Sequence, residues 1–414
     1  MTESISYIEG SGYEGSFSAL DSIETLEREW RALEPLSDCS FFLSWSWIGA
    51  WLQIVSAHTS LSIYRCYFKG ELIALAVVGN DTIKRRHFFK STMVTLNESC
   101  KHHLNMFIEY NGLLTQRGHE TAALNHFIFD LNNSLFDWNE LRLTNVPKAA
   151  YDSVDQQRLA LKKITDRSLG IWVTPLDSNT TVESILNKLS KSRRWQIRRS
   201  FKEYSNEGTL KIDCAADVDQ ACDYFMRMGQ LHTERWNRVG RTGSFAHPKW
   251  VKFHLALIRN AFNRGEIQML RICCGERAIG YIYNFVWRNT VLMLQSGFAS
   301  EDRNMLRPGY VSHLLAIEYN AALGMAIYNF LAGDSQYKAI LGTAQPPLLS
   351  GRLQRPHIKF SIENALVKTH QFISRIARTP NQLLRKNFSK LIFSGYWIAE
   401  ITHQLKPFAP ADFI

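Results

Sequence analysis

The sequence predicts a mixed α/β fold of α+β character, built from two related halves. Three observations lead there: the length of the chain, an order of helical and strand-like patterns that occurs twice, and a basic segment between the two occurrences. At 414 residues the chain exceeds the size at which a single hydrophobic core stops growing, so two domains are expected. A hydrophobic content of 45% with only 21% charged residues excludes extensive disorder, and the 11 Trp and 24 Phe imply large buried clusters.

In the first half, Ile23, Leu26, Trp30 and Leu33 recur at helical spacing within residues 22–36, and residues 40–54 continue as a second, aromatic helix. Short apolar runs at 61–68 and 72–80, joined at Lys69-Gly70-Glu71, read as a β-hairpin, and 87–96 as a further strand. A helix over 119–133 and a short strand at 140–143 complete the unit. The second half repeats this order. Helices are expected over 218–236 and 250–263, and strands over 267–274, 278–287 and 291–298 joined by Gly275-Glu276-Arg277 and Arg288-Asn289-Thr290. A helix over 310–323 and a strand over 326–331 follow. The connecting segment 186–204 reads as one helix, with Leu186, Leu189, Ile197, Phe201 and Tyr204 on one face and Lys191, Arg194, Arg198 and Lys202 on another. The expected division is therefore 1–170, then 171–355 with the basic helix 186–204, then a basic helical tail 356–414.

The net charge of +10 favours an anionic partner: a phosphate-bearing substrate, nucleic acid or a lipid surface. Seven Cys, with no C-x-x-C spacing and no His at ligand spacing, read as reduced thiols, and no metal site is expected. The first ten residues carry Glu3 and Glu9 and lack a basic and apolar leader pattern, which argues for cytoplasmic residence. The aromatic stretch 41–57 falls short of a membrane span and reads as a buried helix, with Trp45, Trp47 and Trp51 in the core.

Two places can carry chemistry. The loop 299–309 ends in Arg307-Pro308-Gly309 at a helix N-terminus, where free amides, the helix dipole and a cation hold an anion; an ordinary capped helix explains it too. After the last strand comes Gly333-Asp334-Ser335-Gln336-Tyr337-Lys338, where Tyr337 can exchange a proton and Lys338 can stabilise a leaving group. Asp334 reads equally as a helix N-cap and Lys338 as a solvated residue. His232 and Arg235 lie one turn apart on a helix and also read as surface residues beside a packed Trp236.

Taken in order, these motifs resemble the GNAT acetyltransferase superfamily, in the branch that includes the CelD family of cellulose biosynthesis and relatives of the FemAB peptidyltransferases. The likeness rests on Ser40-Phe41-Phe42-Leu43-Ser44-Trp45-Ser46-Trp47 followed by Trp51, on Gly70-Glu71-Leu72-Ile73-Ala74-Leu75-Ala76, Arg193-Arg194-Trp195-Gln196-Ile197-Arg198-Arg199, His232 with Arg235-Trp236, Gly275-Glu276-Arg277-Ala278-Ile279-Gly280-Tyr281, Arg307-Pro308-Gly309 and the run 329–338. It implies two tandem GNAT-like domains, with mixed, mainly antiparallel sheets flanked by helices, and an acyl donor held between splayed strands. Acetyl-CoA or another acyl-CoA is the implied donor, with Arg307, Gly309, Tyr310 and Ser312 binding it, although the loop lacks a G-x-G. The catalytic candidates are Lys338, Tyr337 and Asp334. Arg194, Arg198, His232 and Arg235 are the candidates for binding a small-molecule or glycan-precursor acceptor. Two alternatives stay open: a FemAB-like enzyme using aminoacyl-tRNA, and a non-catalytic protein docked on the inner face of a membrane through the basic tail. DNA is not an expected partner.

Overall fold

The computed structural model describes residues 12–55, 61–85, 89–99, 106, 108–134, 136–155 and 159–378, with side chains up to residue 369. The first ten residues, Cys100 and the tail beyond 378 lie outside the described residues.

The first unit runs β1 (Tyr13–Ala19), α1 (Ile23–Leu33), α2 (Trp45–Val55), β2 (Leu61–Phe68), β3 (Glu71–Lys84), β4 (Lys90–Leu96), the short β5 (Leu114–Thr115), α3 (Glu120–Asn133), β6 (Glu140–Pro147), α4 (Lys148–Asp152) and β7 (Lys162–Pro175). Two helices, α5 (Val182–Lys188) and α6 (Lys191–Glu207), lead to the second unit. That unit is β8 (Leu210–Cys214), α7 (Val218–Arg238), α8 (Pro248–Ala261), β9 (Ile267–Cys274), β10 (Arg277–Trp287), β11 (Thr290–Phe298), α9 (Pro308–Ala322), β12 (Ile327–Ala332), α10 (Gln336–Leu341) and β13 (Thr343–Gln354), and α11 (Ile358–Arg378) follows. Apart from β5, the two units have the same order of elements.

All strands of the described residues share one 13-stranded sheet in the order β1-β2-β3-β4-β6-β13-β7-β12-β11-β10-β9-β8, with β5 on β3. The order is symmetric about its centre. Each half has four antiparallel strands, one parallel step (β4 to β6, β11 to β12) and a final antiparallel strand taken from the other half. β7, at the end of the first unit, pairs with β12, while β13, at the end of the second, pairs with β6. The two exchanged strands then pair with each other, so residues 170 and 171 both lie inside β7.

The expected turns form for the expected reason. Lys69 (φ 52°) with Gly70 (φ 85°), and Arg288 (φ 47°) with Asn289 (φ 59°), put both central residues in the left-handed region that two-residue hairpins need. One expectation is corrected: 186–204 is two helices. Leu189 and Ser190 take extended ψ values of 159° and 148°, and the Ser190 hydroxyl caps α6 by accepting from the Arg193 amide. Five strands, β1, β5, β7, β8 and β13, were not expected from the sequence. β7 starts with largely exposed polar residues, and β13 contains Pro346 and Pro347, which the sheet accommodates at a bulge between Gln345 and Leu348.

One core joins the two units. Trp45, Trp47 and Trp51 of α2 are buried and pack with α8 of the second unit. The Phe41 ring stacks on Phe285 of β10 at 4.3 Å, and Trp47 meets Phe253 edge-on at 4.9 Å. Phe285→Ala removes a fully buried ring from this junction and is expected to cost about 3–5 kcal/mol. Because both units lean on that ring, urea unfolding should shift as one transition.

A second buried cluster predicts a pH dependence. The Asp130 carboxylate accepts from the Tyr64 hydroxyl (2.7 Å) and lies 3.4 Å from His126, while burial pushes its pKa up to about 7. The folded state therefore holds a proton there that the unfolded chain loses near pH 4. The stability this contributes is complete below pH 4 and is lost as the pH rises through 7. Asp130→Asn should accordingly raise the melting temperature by a few degrees at pH 8 and by less at pH 5.

Candidate active site

The parallel step between β11 and β12 spans only three pairs, Thr290↔Ile327 to Leu292↔Asn329. Beyond it the strands part. A bulge in β11 at Leu294 opens the same point, since Tyr283 faces Gln295 while Asn284 faces Met293. A cleft of about 680 Å³ fills the gap, with Met293 to Ser296 on one side and Leu331 and Ala332 on the other.

α9 ends on this cleft with its N-terminus. Pro308 opens the helix, and the first ladder bond runs from the Val311 amide to the Arg307 carbonyl, so the Gly309 and Tyr310 amides precede the ladder. Arg307, Gly309 and Tyr310 all line the cleft, and the Arg307 amide donates to Ser200 of α6 at 2.9 Å, which fixes the entry to the helix. A Cβ on Gly309 would stand 3.3 Å from the Phe298 ring, leaving little room for a side chain. Ser312 is fully buried on the side of α9 facing Gly280 of β10 and does not line the cleft.

On the opposite wall, α10 presents Tyr337 and Lys338. Lys338 is buried; its ammonium donates to the carbonyl of Ala332 at 2.6 Å and reaches that of Leu331 at 3.4 Å. Burial lowers its pKa to about 8, against the pull of Glu109 and Asp334. The Tyr337 ring lies parallel to the His313 imidazole at 4.6 Å, and burial raises its hydroxyl well above the usual phenol range. Asp334 is exposed and does not line the cleft, its carboxylate lying against Gly170 of β7, and the cap position of α10 falls on Ser335.

His232 and Arg235 of α7 line the cleft as well. The His232 Nε2 accepts from Trp236 Nε1 at 2.8 Å, and burial, with Arg235 nearby, lowers its pKa to about 4, so the ring is neutral. Arg194 and Arg198 are placed elsewhere: both reach Asn187 of α5, Arg198 also pairs with Glu183, and neither lines the cleft.

His313 and Glu109 are among the cleft residues that the sequence did not single out. His313 sits on α9 with both ring nitrogens buried and without a hydrogen-bond partner, and burial, with Lys338 and Arg235, lowers its pKa to about 3. In sequence it is one of several polar residues, with Ser312, Glu318 and Asn320, in a mainly apolar helix. Glu109 comes from the first unit and lines the cleft of the second. It lies in an irregular segment, where no periodicity marks it. Among the described residues, no group of three or more His, Cys, Asp or Glu could hold a metal ion.

Residues 191–339 match the family model described as "Acetyltransferase (GNAT) domain", a span running from the start of α6 into α10. Fold, cleft and match together mark residues 191–339 as a GNAT-type acyltransferase domain. The chain is similar to the crystal structure of FemX, with a TM-score of 0.52 and 10% identity over 79% of this chain and 95% of that one. It therefore shares the fold of FemX. Weaker likenesses are to a tandem GNAT protein from the clavulanic acid biosynthesis pathway (TM-score 0.43, 11% identity, 83% and 100% covered) and to the C-terminal domain (DUF2156) of a putative lysylphosphatidylglycerol synthetase from Agrobacterium fabrum (0.45, 9%, 81% and 93%). No curated protein sequence matches the chain.

Proposed function

We propose that this protein transfers an acyl group, acetyl in the simplest case, from acyl-CoA to an amine on a small-molecule or glycan-precursor acceptor. The observation that supports this most is the convergence of the α9 N-terminus, Arg307 and Gly309 with Lys338 and Tyr337 on one cleft between parting strands. The donor's phosphates meet the free amides of α9 and Arg307. Its thioester lies toward Ala332, where Lys338 stabilises the departing sulfur and backbone amides beside the β11 bulge polarise the carbonyl. The amine attacks directly, so no covalent enzyme intermediate is required. Residues 171–355 form the catalytic half and 1–170 the half that closes the acceptor side, with β7 and β13 exchanged between them. A link to cell-envelope or polysaccharide synthesis rests on the CelD-like motifs. No helix of the described residues is long and apolar enough to cross a membrane.

One observation favours a second reading with an aminoacyl-tRNA donor. Trp195 of α6 is 61% exposed with Arg199 over its ring at 5.4 Å, and Arg193 lies over the Tyr310 ring at the cleft at 5.8 Å. Isothermal titration with acetyl-CoA and longer acyl-CoAs decides between them. Binding supports the acyl-CoA reading, and its absence together with tRNA binding that weakens steeply with salt supports the other.

A further inference from the structure

We propose that Glu109, brought into the second unit's cleft by the first unit, is the general base that takes the proton from the attacking amine. The proposal rests on the acyl-transfer reading above and deepens it.

The geometry centres on one peptide. The Ala332 amide donates to Glu109 Oε2 at 2.8 Å, and the Ala332 carbonyl accepts from Lys338 Nζ at 2.6 Å. Glu109 and Lys338, 229 positions apart in sequence, are thus held on the two ends of the same residue, at the edge where β12 leaves β11. The segment bearing Glu109 is fastened on both sides. Asn329 donates to the Tyr110 hydroxyl at 2.8 Å, while Asn111 bonds the Leu96 carbonyl at 2.9 Å and accepts from Asn97 at 3.1 Å.

Backbone strain marks the same contact from both sides. Tyr110 (φ 50°) and Leu331 (φ 61°) occupy the left-handed region, which bulky side chains disfavour, and each adjoins one partner of the Glu109–Ala332 bond. Such strain persists where the surroundings over-determine it, and it gathers at working sites.

The charge environment suits a base. Burial raises the Glu109 pKa to about 7, opposed by Lys338 of α10, the Ala332 amide and Arg167 of β7. Other charged or titratable groups facing this end of the cleft are Arg235 of α7 and the neutral His313 of α9, and Asp334 acts on Lys338 from beyond the cleft. A carboxylate that titrates near neutrality is matched to accepting a proton at physiological pH.

The step balances with these two residues. The amine nitrogen bonds to the acyl carbon and passes its proton to Glu109; the carbon–sulfur bond breaks, and the thiolate takes a proton from the Lys338 ammonium. Glu109 then returns its proton to the Lys338 amine, so both side chains end as they began.

The test measures thiol release from acetyl-CoA with butylamine and with glucosamine as acceptors, on the full chain, as a function of pH. Wild-type kcat should rise through an acidic limb near pH 7. Glu109→Gln should lower kcat by about 10²–10⁴-fold, abolish that limb and leave the KM for acetyl-CoA unchanged. Glu109→Asp, which keeps the charge, should recover part of the rate. A merely structural role would alter the melting temperature and leave the limb in place, which overturns the assignment, as does Glu109→Gln turnover equal to wild type. Wild-type protein that releases no thiol with either amine overturns the acyl-transfer reading and this proposal with it.

Discussion

Lys338→Met is expected to lower acyl transfer by about 10²–10³-fold while leaving acetyl-CoA affinity unchanged. The substitution keeps the length and packing of the side chain and removes only the ammonium, which the structure holds on the Ala332 carbonyl inside the cleft. Two consequences follow from that loss. In the proposed transfer the departing sulfur loses a buried cation, and a charge in such a place is worth more than in bulk water. Glu109 also loses the partner that most opposes its burial, so its pKa should climb and the acidic limb of the rate profile should move to higher pH. Steady-state kinetics across pH 5–9, with titration of acetyl-CoA, check both at once. A variant with full activity and an unmoved limb would remove Lys338 from the chemistry. Denaturation of the variant needs measuring alongside, because leaving Glu109 unpaired carries a stability cost of its own.

Gly309→Glu should abolish donor binding, with acetyl-CoA affinity falling at least about 100-fold, or 2.7 kcal/mol. A side chain here starts 3.3 Å from the Phe298 ring and has to extend into the cleft, carrying a carboxylate to the amides of Gly309 and Tyr310. Those amides and the positive end of α9 then hold the protein's own anion in place of the donor's. Gly309→Ala is the control for shape alone, since a methyl group at 3.3 Å needs only a few tenths of an ångström from the ring. Retained binding in Gly309→Glu would move the donor away from this loop.

Much of this arrangement was legible in the sequence because it is local. A helix such as α7 declares itself through Ala221, Tyr224, Phe225 and Met228 on one face, and the hairpins through residues that tolerate positive φ. The same holds for Arg307, Gly309, Tyr337 and Lys338, each at the end of a recognisable strand or helix, and for the tandem order of elements. Spacing alone, in contrast, grouped Arg194 and Arg198 with the site. Whether a basic residue meets a cleft or a neighbouring helix depends on where α5 packs, and Asn187 and Glu183 take those two cations.

What the sequence by itself determined is the mixed α/β class, the repeated unit and the two motifs that line the cleft, since these depend on periodicity and turn chemistry within some thirty residues. Only the tertiary structure decided that β7 and β13 change places. Their polar and proline-bearing sequences carry no strand signal, and their pairing is settled by the open edges of β12 and β6. It alone brought Glu109 to Ala332 across 223 positions, because an irregular segment has no period to read and its place is set by the strands on which it rests.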